Sequence, residues 1–122
     1  MSEAQIESLV PFAAIENLIK LELPYNRIVD ITPLSALEKL QILDLSGNQI
    51  KDIKPLKNLK QLSELDLTDN KIEDISPLSD HTSLIFLELS GNPVEENQTS
   101  SNCPKDSQTD VVKEFCSALE EE

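Results

Sequence analysis

Tryptophan is absent from this sequence, and glycine, cysteine and histidine are nearly so: two, two and one residues in 122. Each scarcity excludes something. Two glycines cannot build a Gly-rich loop that cradles a phosphate. A single histidine, His81, with no Ser or Cys nucleophile set beside a candidate base, leaves no catalytic constellation to assemble, so the chain reads as non-enzymatic and without a cofactor. Aromatic residues at 3% point to a core of leucine and isoleucine, not to a barrel or a dinucleotide fold. No apolar run reaches about 18 residues, so no membrane span is expected. The first residues do not read as a signal peptide, because Ser2, Glu3, Gln5, Glu7 and Ser8 interrupt any apolar region, and a cytoplasmic location is the expectation. Bases are scarce as well. Ten stand against twenty-three acids, a net charge of −13, which disfavours nucleic acid and anionic membranes and favours a protein or peptide partner of basic character. A plain solubility charge is the blander reading of the same excess.

What the sequence has in quantity is leucine and isoleucine in phase. Leu40, Leu43, Leu45, Asn48, Ile50, Ile53, Leu56 and Leu59 form one unit, and Leu62 opens the next at a period of 22 residues. Leu43 and Leu45 alternate with Ile42 and Asp44, as in a short half-buried strand. Asn48 stands where the chain must turn and can bond backbone groups that would otherwise be buried unpaired. Beyond it, Ile50, Ile53, Leu56 and Leu59 recur every third residue, which suits a tight 3-10 return better than an α-helix. One such unit cannot bury its own apolar face, but stacked neighbours can, and a period of this length implies a solenoid.

The pattern LxxLxLxxNxIxxIxPLxxL resembles the short 22-residue class of leucine-rich repeat, as in bacterial internalin-type proteins and a regulatory subunit of a Ser/Thr phosphatase. The likeness runs from about Leu18 to Val94 and is carried by Asp30-Ile31-Thr32-Pro33-Leu34, Asp52-Ile53-Lys54-Pro55-Leu56 and Asp74-Ile75-Ser76-Pro77-Leu78. It implies an α/β leucine-rich repeat solenoid: a right-handed horseshoe segment with a short parallel concave sheet of about four strands, a 3-10 or loop convex side, and a C-terminal cap helix. The domain reading is a half-repeat cap at 1–17, four repeats at 18–94, and a C-terminal cap at 95–122 with a helix near 108–119. In the first segment Ser2 and Gln5 suggest a capping box that starts a short helix with Ile6, Leu9 and Val10 on one face. Thr32 and Ser76 are expected to cap the turns that begin at Pro33 and Pro77. A monomer is expected. If the half-repeat fails to cover the first strand, a dimer through that end is the alternative.

The resemblance implies a binding scaffold without chemistry of its own, and the strand residues that point away from the core are then the candidate partner-binding set. At this period equivalent residues stack in columns about 4.8 Å apart. One column reads Glu22, Asp44, Asp66 and Glu88, all acids. Beside it stand Lys20, Ile42, Glu64 and Phe86 on one side, and on the other Pro24, Ser46, Thr68 and Ser90, then Tyr25, Gly47, Asp69 and Gly91. Acids at Glu22, Asp44, Glu64, Asp66, Asp69 and Glu88, with apolar contacts at Tyr25, Ile42 and Phe86, suit a basic partner. Repeat consensus is the competing explanation of the Leu-Asp-Leu acids. A straight column does not converge on a point, so no metal site is expected. Regulation of an enzyme such as a phosphatase, and a secreted or surface internalin-like adhesion role, are the alternatives the resemblance leaves open.

Four further features need a reading. Lys51, Lys54, Lys57 and Lys60 fall on the convex side and read as a solvated face balanced by Asp52 and Glu73. His81 occupies the slot of Leu37 and Leu59, so a structural role outranks a catalytic one. Cys103 and Cys116 would close a loop of about 14 residues worth about 3 kcal/mol if joined. The resemblance to extracellular repeat proteins makes that disulfide, and an extracellular location, one reading; free buried thiols on the cap helix are the other. Asn97-Gln98-Thr99 has the form of a glycosylation sequon.

Overall fold

A strand of three residues cannot stand alone, and here four of them stand only because their neighbours repeat the same sequence logic. In the computed structural model, which describes residues 5–95 and Val112, β1 (Lys20–Glu22), β2 (Ile42–Asp44), β3 (Glu64–Asp66) and β4 (Phe86–Glu88) form one parallel sheet in chain order. The register is the repeat itself: Leu21 lies beside Leu43, Leu43 beside Leu65 and Leu65 beside Leu87. The other side of each coil is a 3-10 turn: Val10–Ala14, Thr32–Ala36, Lys54–Asn58, Ser76–Leu78 and Pro93–Glu95. This is the leucine-rich repeat solenoid that the pattern implied.

The core between sheet and turns is aliphatic. Leu43, Leu45, Ile50, Ile53, Leu56 and Leu59 of one repeat are all at most 1% exposed, as are their equivalents Leu65, Leu67, Ile72, Ile75 and Leu78 in the next. Burying each such side chain is worth about 1.5–3 kcal/mol, so the repeat is held by these positions and not by its short strands. Val112 is also buried against this core. The cap helix expected near 108–119, Cys103, Cys116 and the Asn97 sequon otherwise lie outside the described residues.

Polar closure of the coil depends on an asparagine ladder. The Oδ1 atoms of Asn26, Asn48, Asn70 and Asn92 accept the amides of Ile6, Ile28, Ile50 and Ile72, each at 2.9–3.0 Å and each in the preceding repeat. The Nδ2 atoms of Asn48, Asn70 and Asn92 reach back to the carbonyls of Leu23, Leu45 and Leu67, each also one repeat earlier. All four asparagines are buried, and they satisfy backbone groups at the bend where no strand can.

Two sequence expectations are corrected. Gln5 has φ 61°, and the Ile6 amide and carbonyl are spent on Asn26 and the Arg27 amide. Residues 5–9 therefore run as a half-coil in repeat register instead of a helix, with Leu9 buried and Val10 exposed. Ser2 lies outside the described residues. The 3-10 turns are not capped by Thr32 or Ser76; Asp30, Asp52 and Asp74 instead accept the amides of Thr32, Lys54 and Ser76 at 2.9 Å. The aspartate two residues earlier reaches the amide that proline geometry exposes, so the Asp-Ile-x-Pro signature is a cap. The Thr32 hydroxyl, then its amide, hold the Asp30 carboxyl below its ordinary value.

His81 is wholly buried in the leucine slot. Its Nε2 lies 2.7 Å from the Leu56 carbonyl, which can only accept, so the proton is on Nε2, and Nδ1 has no hydrogen-bond partner among the described residues. On the convex side Lys51 Nζ pairs with Glu73 at 3.2 Å, as the winding predicted.

Candidate functional site on the concave sheet

Parallel pairing brings six of the nine sequence-derived candidates around one shallow depression. Glu22, Ile42, Asp44, Glu64, Asp66 and Phe86 line a volume of about 280 Å³, with Leu43 and Leu65 beneath. Glu88 stands next to Asp66 in register on β4. Ile42 and Phe86 flank Glu64 across the sheet, so two apolar side chains bracket a carboxylate. Phe86 is 47% exposed and its neighbour Ile85 74%.

Ile85 is absent from the sequence-derived candidates because it lies one residue before β4, outside the strand columns. The signal was present: its column reads Ile19, Gln41, Ser63 and Ile85, and the change from polar to apolar at the last repeat sits beside Phe86.

The acids of the ladder are not equivalent. Asp44 Oδ1 accepts the Ser46 amide at 3.0 Å and its hydroxyl at 2.7 Å. Asp66 Oδ1 does the same for Thr68 at 3.0 and 2.6 Å. Both aspartates are half-buried and fix the bend that ends the strand, which is a structural reason for Leu-Asp-Leu and explains how adjacent like charges are tolerated. Glu22 is neutralised locally by Lys20 Nζ at 3.4 Å. The carboxylates of Glu64 and Glu88 make no hydrogen bond or ion pair among the described residues.

Tyr25 and Asp69 are not part of the depression. They occupy the left-handed position that ends each strand loop, with φ 56° at both, where the other two repeats have Gly47 at 70° and Gly91 at 78°. The Tyr25 ring lies over Gly47 and the Asp69 carboxylate over Gly91, so closely that a Cβ on either glycine would collide with it. Large and absent side chains alternate along this column for steric reasons. Among the described residues no cluster of His, Cys, Asp or Glu is arranged to hold a metal ion.

The family of Leucine Rich repeats (2 copies) matches residues 16–58 and again 38–80, and the chain belongs to the leucine-rich repeat proteins. Among solved structures it is similar to an internalin (InlF) of Listeria monocytogenes at 35% identity and a TM-score of 0.73, over 80% of this chain and 30% of that one. Internalin C2 of the same organism is 42% identical with a TM-score of 0.73, over 75% and 41%. A leucine-rich repeat protein of Leptospira interrogans is 28% identical with a TM-score of 0.66, over 76% and 26%. The chain thus spans less than half the length of each. The comparison with curated proteins gave no match. No helix among the described residues is long and apolar enough to cross a membrane.

Proposed function

We propose that the chain is a non-catalytic protein-interaction module whose concave sheet takes a basic segment of a partner protein. The observation that carries this reading is the depression between Ile42 and Phe86, where Glu64 offers an uncommitted carboxylate between two apolar side chains. Glu88 and the second oxygens of Asp44 and Asp66 extend the acidic surface. A lysine or arginine of the partner would meet the carboxylates while its aliphatic stem and an apolar neighbour cover Ile42, Phe86 and Ile85. Acid on one side and base on the other would steer encounter and set register more than they add affinity.

The test is a triple variant that leaves the scaffold's own bonds alone: Glu64→Gln, Phe86→Ala and Glu88→Gln. Partners captured from native cells by the wild type are purified and titrated against both forms. Loss of at least about tenfold in affinity, close to 1.4 kcal/mol, with a shallower salt dependence, supports the reading. Unchanged affinity moves the site off this face.

A second reading, a surface or secreted adhesion role, is favoured by the similarity to two internalins. It uses the same face and is distinguished by where the protein is found and by whether native Cys103 and Cys116 are joined. Regulation of a Ser/Thr phosphatase would instead be marked by phosphatase activity that co-purifies with the wild type.

A further inference from the structure

β1 is an edge of the sheet, and among the described residues nothing pairs with its outer side. Its odd-numbered residues spend their backbone groups on β2: the Ile19 carbonyl accepts the Gln41 and Ile42 amides, and the Leu23 and Tyr25 amides donate to the Asp44 and Ser46 carbonyls at 2.8 Å. The amide and carbonyl of one strand residue point the same way, and alternate residues point oppositely. Lys20 and Glu22 therefore turn both their backbone groups to the open edge. Pro24 has no amide and ends the usable ladder there.

We infer that this edge is a self-association surface on which two copies pair antiparallel about Leu21. The strand reads Lys20-Leu21-Glu22. Antiparallel pairing centred on Leu21 sets each Lys20 opposite the second copy's Glu22, both as hydrogen-bonded pairs, so four backbone bonds and two cross-strand ion pairs form at once. The same charges that discourage an unrelated strand from docking are matched by the chain's own sequence run backwards. In each copy Lys20 and Glu22 already lie within 3.4 Å, with half their side-chain surface exposed, so they can exchange partners without refolding. Ile15 and Ile19, each about half exposed at this end, gain cover. The other edge has no such symmetry, since β4 reads Phe86-Leu87-Glu88 and self-pairing would set Phe86 opposite Glu88.

Such pairing closes a two-fold interface and joins two four-stranded sheets into one of eight strands, with the acidic face continuous across the junction. The contact is small and each chain carries a net charge of −13. It is therefore a weak association, populated at high concentration and at physiological salt, where repulsion beyond about 8 Å is screened.

Sedimentation equilibrium of the full chain from about 10 μM to about 1 mM tests it, across the range that a weak interface occupies. The wild-type mass should climb from monomer towards dimer. Lys20→Glu sets acid against acid and should weaken the dimer at least tenfold, whereas the swap Lys20→Glu with Glu22→Lys should restore it to within about threefold of wild type. Slower exchange of the Lys20 and Glu22 amides as concentration rises should accompany the wild-type transition, and circular dichroism confirms that each variant is folded. A wild type that stays monomeric at the highest concentration overturns the inference. So does a dimer that neither charge change disturbs, because the copies then meet elsewhere.

Discussion

Asn48→Ala is the perturbation whose cost follows most directly from the hydrogen-bond geometry. Asn48 is 6% exposed. Its Oδ1 takes the Ile28 amide at 3.0 Å, and its Nδ2 donates to the carbonyls of Leu23, Leu45 and Ser46 at 3.1, 2.9 and 3.2 Å. The acceptors lose little. Leu23 keeps Asn26 Nδ2, Leu45 keeps Asn70 Nδ2 and Ser46 keeps the Tyr25 amide. The Ile28 amide, in contrast, has no second acceptor among the described residues, and stranding a buried donor costs about 1–3 kcal/mol. With about 1 kcal/mol for the weakened carbonyls and the space left behind, the variant should lose about 2–4 kcal/mol. Asn48→Asp should be at least as damaging, because its second oxygen would face three carbonyls in place of an amide that donates to them. Urea unfolding followed by circular dichroism measures both. A loss below about 1 kcal/mol for Asn48→Ala would show that the ladder is a consequence of stacking and not a cause of it.

Two more predictions concern sites where the chain departs from its own repeat. Burial first, with help from the Lys60 charge, holds His81 below its ordinary pKa, against the opposing pull of the Leu56 hydrogen bond and Asp80. The unfolded state then binds the proton more readily. Stability is therefore full above about pH 6.5 and falls as pH drops below it, by at most about 1.4 kcal/mol per pH unit. His81→Leu should flatten that slope between about pH 6.5 and 5 in pH-dependent urea titrations, and a slope that persists would place the titrating group elsewhere. At the left-handed position, Gly47→Ala should cost about 2 kcal/mol through strain and collision with the Tyr25 ring, and adding Tyr25→Gly should recover about half of it. Additive costs in a thermal-unfolding cycle would deny the contact.

Much of the fold was legible because the repeat states each rule four times. The strand positions, the 3-10 return and the parallel register all follow from leucine and isoleucine at fixed offsets within a 22-residue period. The errors fell where a side chain acts on the backbone beyond its own position. Asp30, not Thr32, caps the turn, because a carboxylate two residues ahead reaches the amide. Asp44 and Asp66 form an acidic column in the sequence, but Ser46 and Thr68, respectively, engage one carboxylate oxygen of each. Gln5 looked like a capping-box partner because pattern matching takes no account of the repeat, whereas the Asn26 amide group draws Ile6 into register. The candidate site was legible as columns, but which members stay uncommitted depended on side-chain partners that period alone does not specify. Tyr25 and Asp69 lie in the columns beside the face, and their fit over Gly47 and Gly91, outside the depression, follows from left-handed backbone that period alone does not specify.

The central claim is that recognition takes place on the concave sheet around Phe86, and photo-cross-linking from that position tests it most directly. A p-benzoylphenylalanine in place of Phe86 lies at the depression, while the same group in place of Lys57 lies on the exposed convex turn. Irradiation in native cells should give partner adducts from position 86, reduced by Glu64→Gln with Glu88→Gln, and none from position 57. Adducts from position 57 alone would contradict the account.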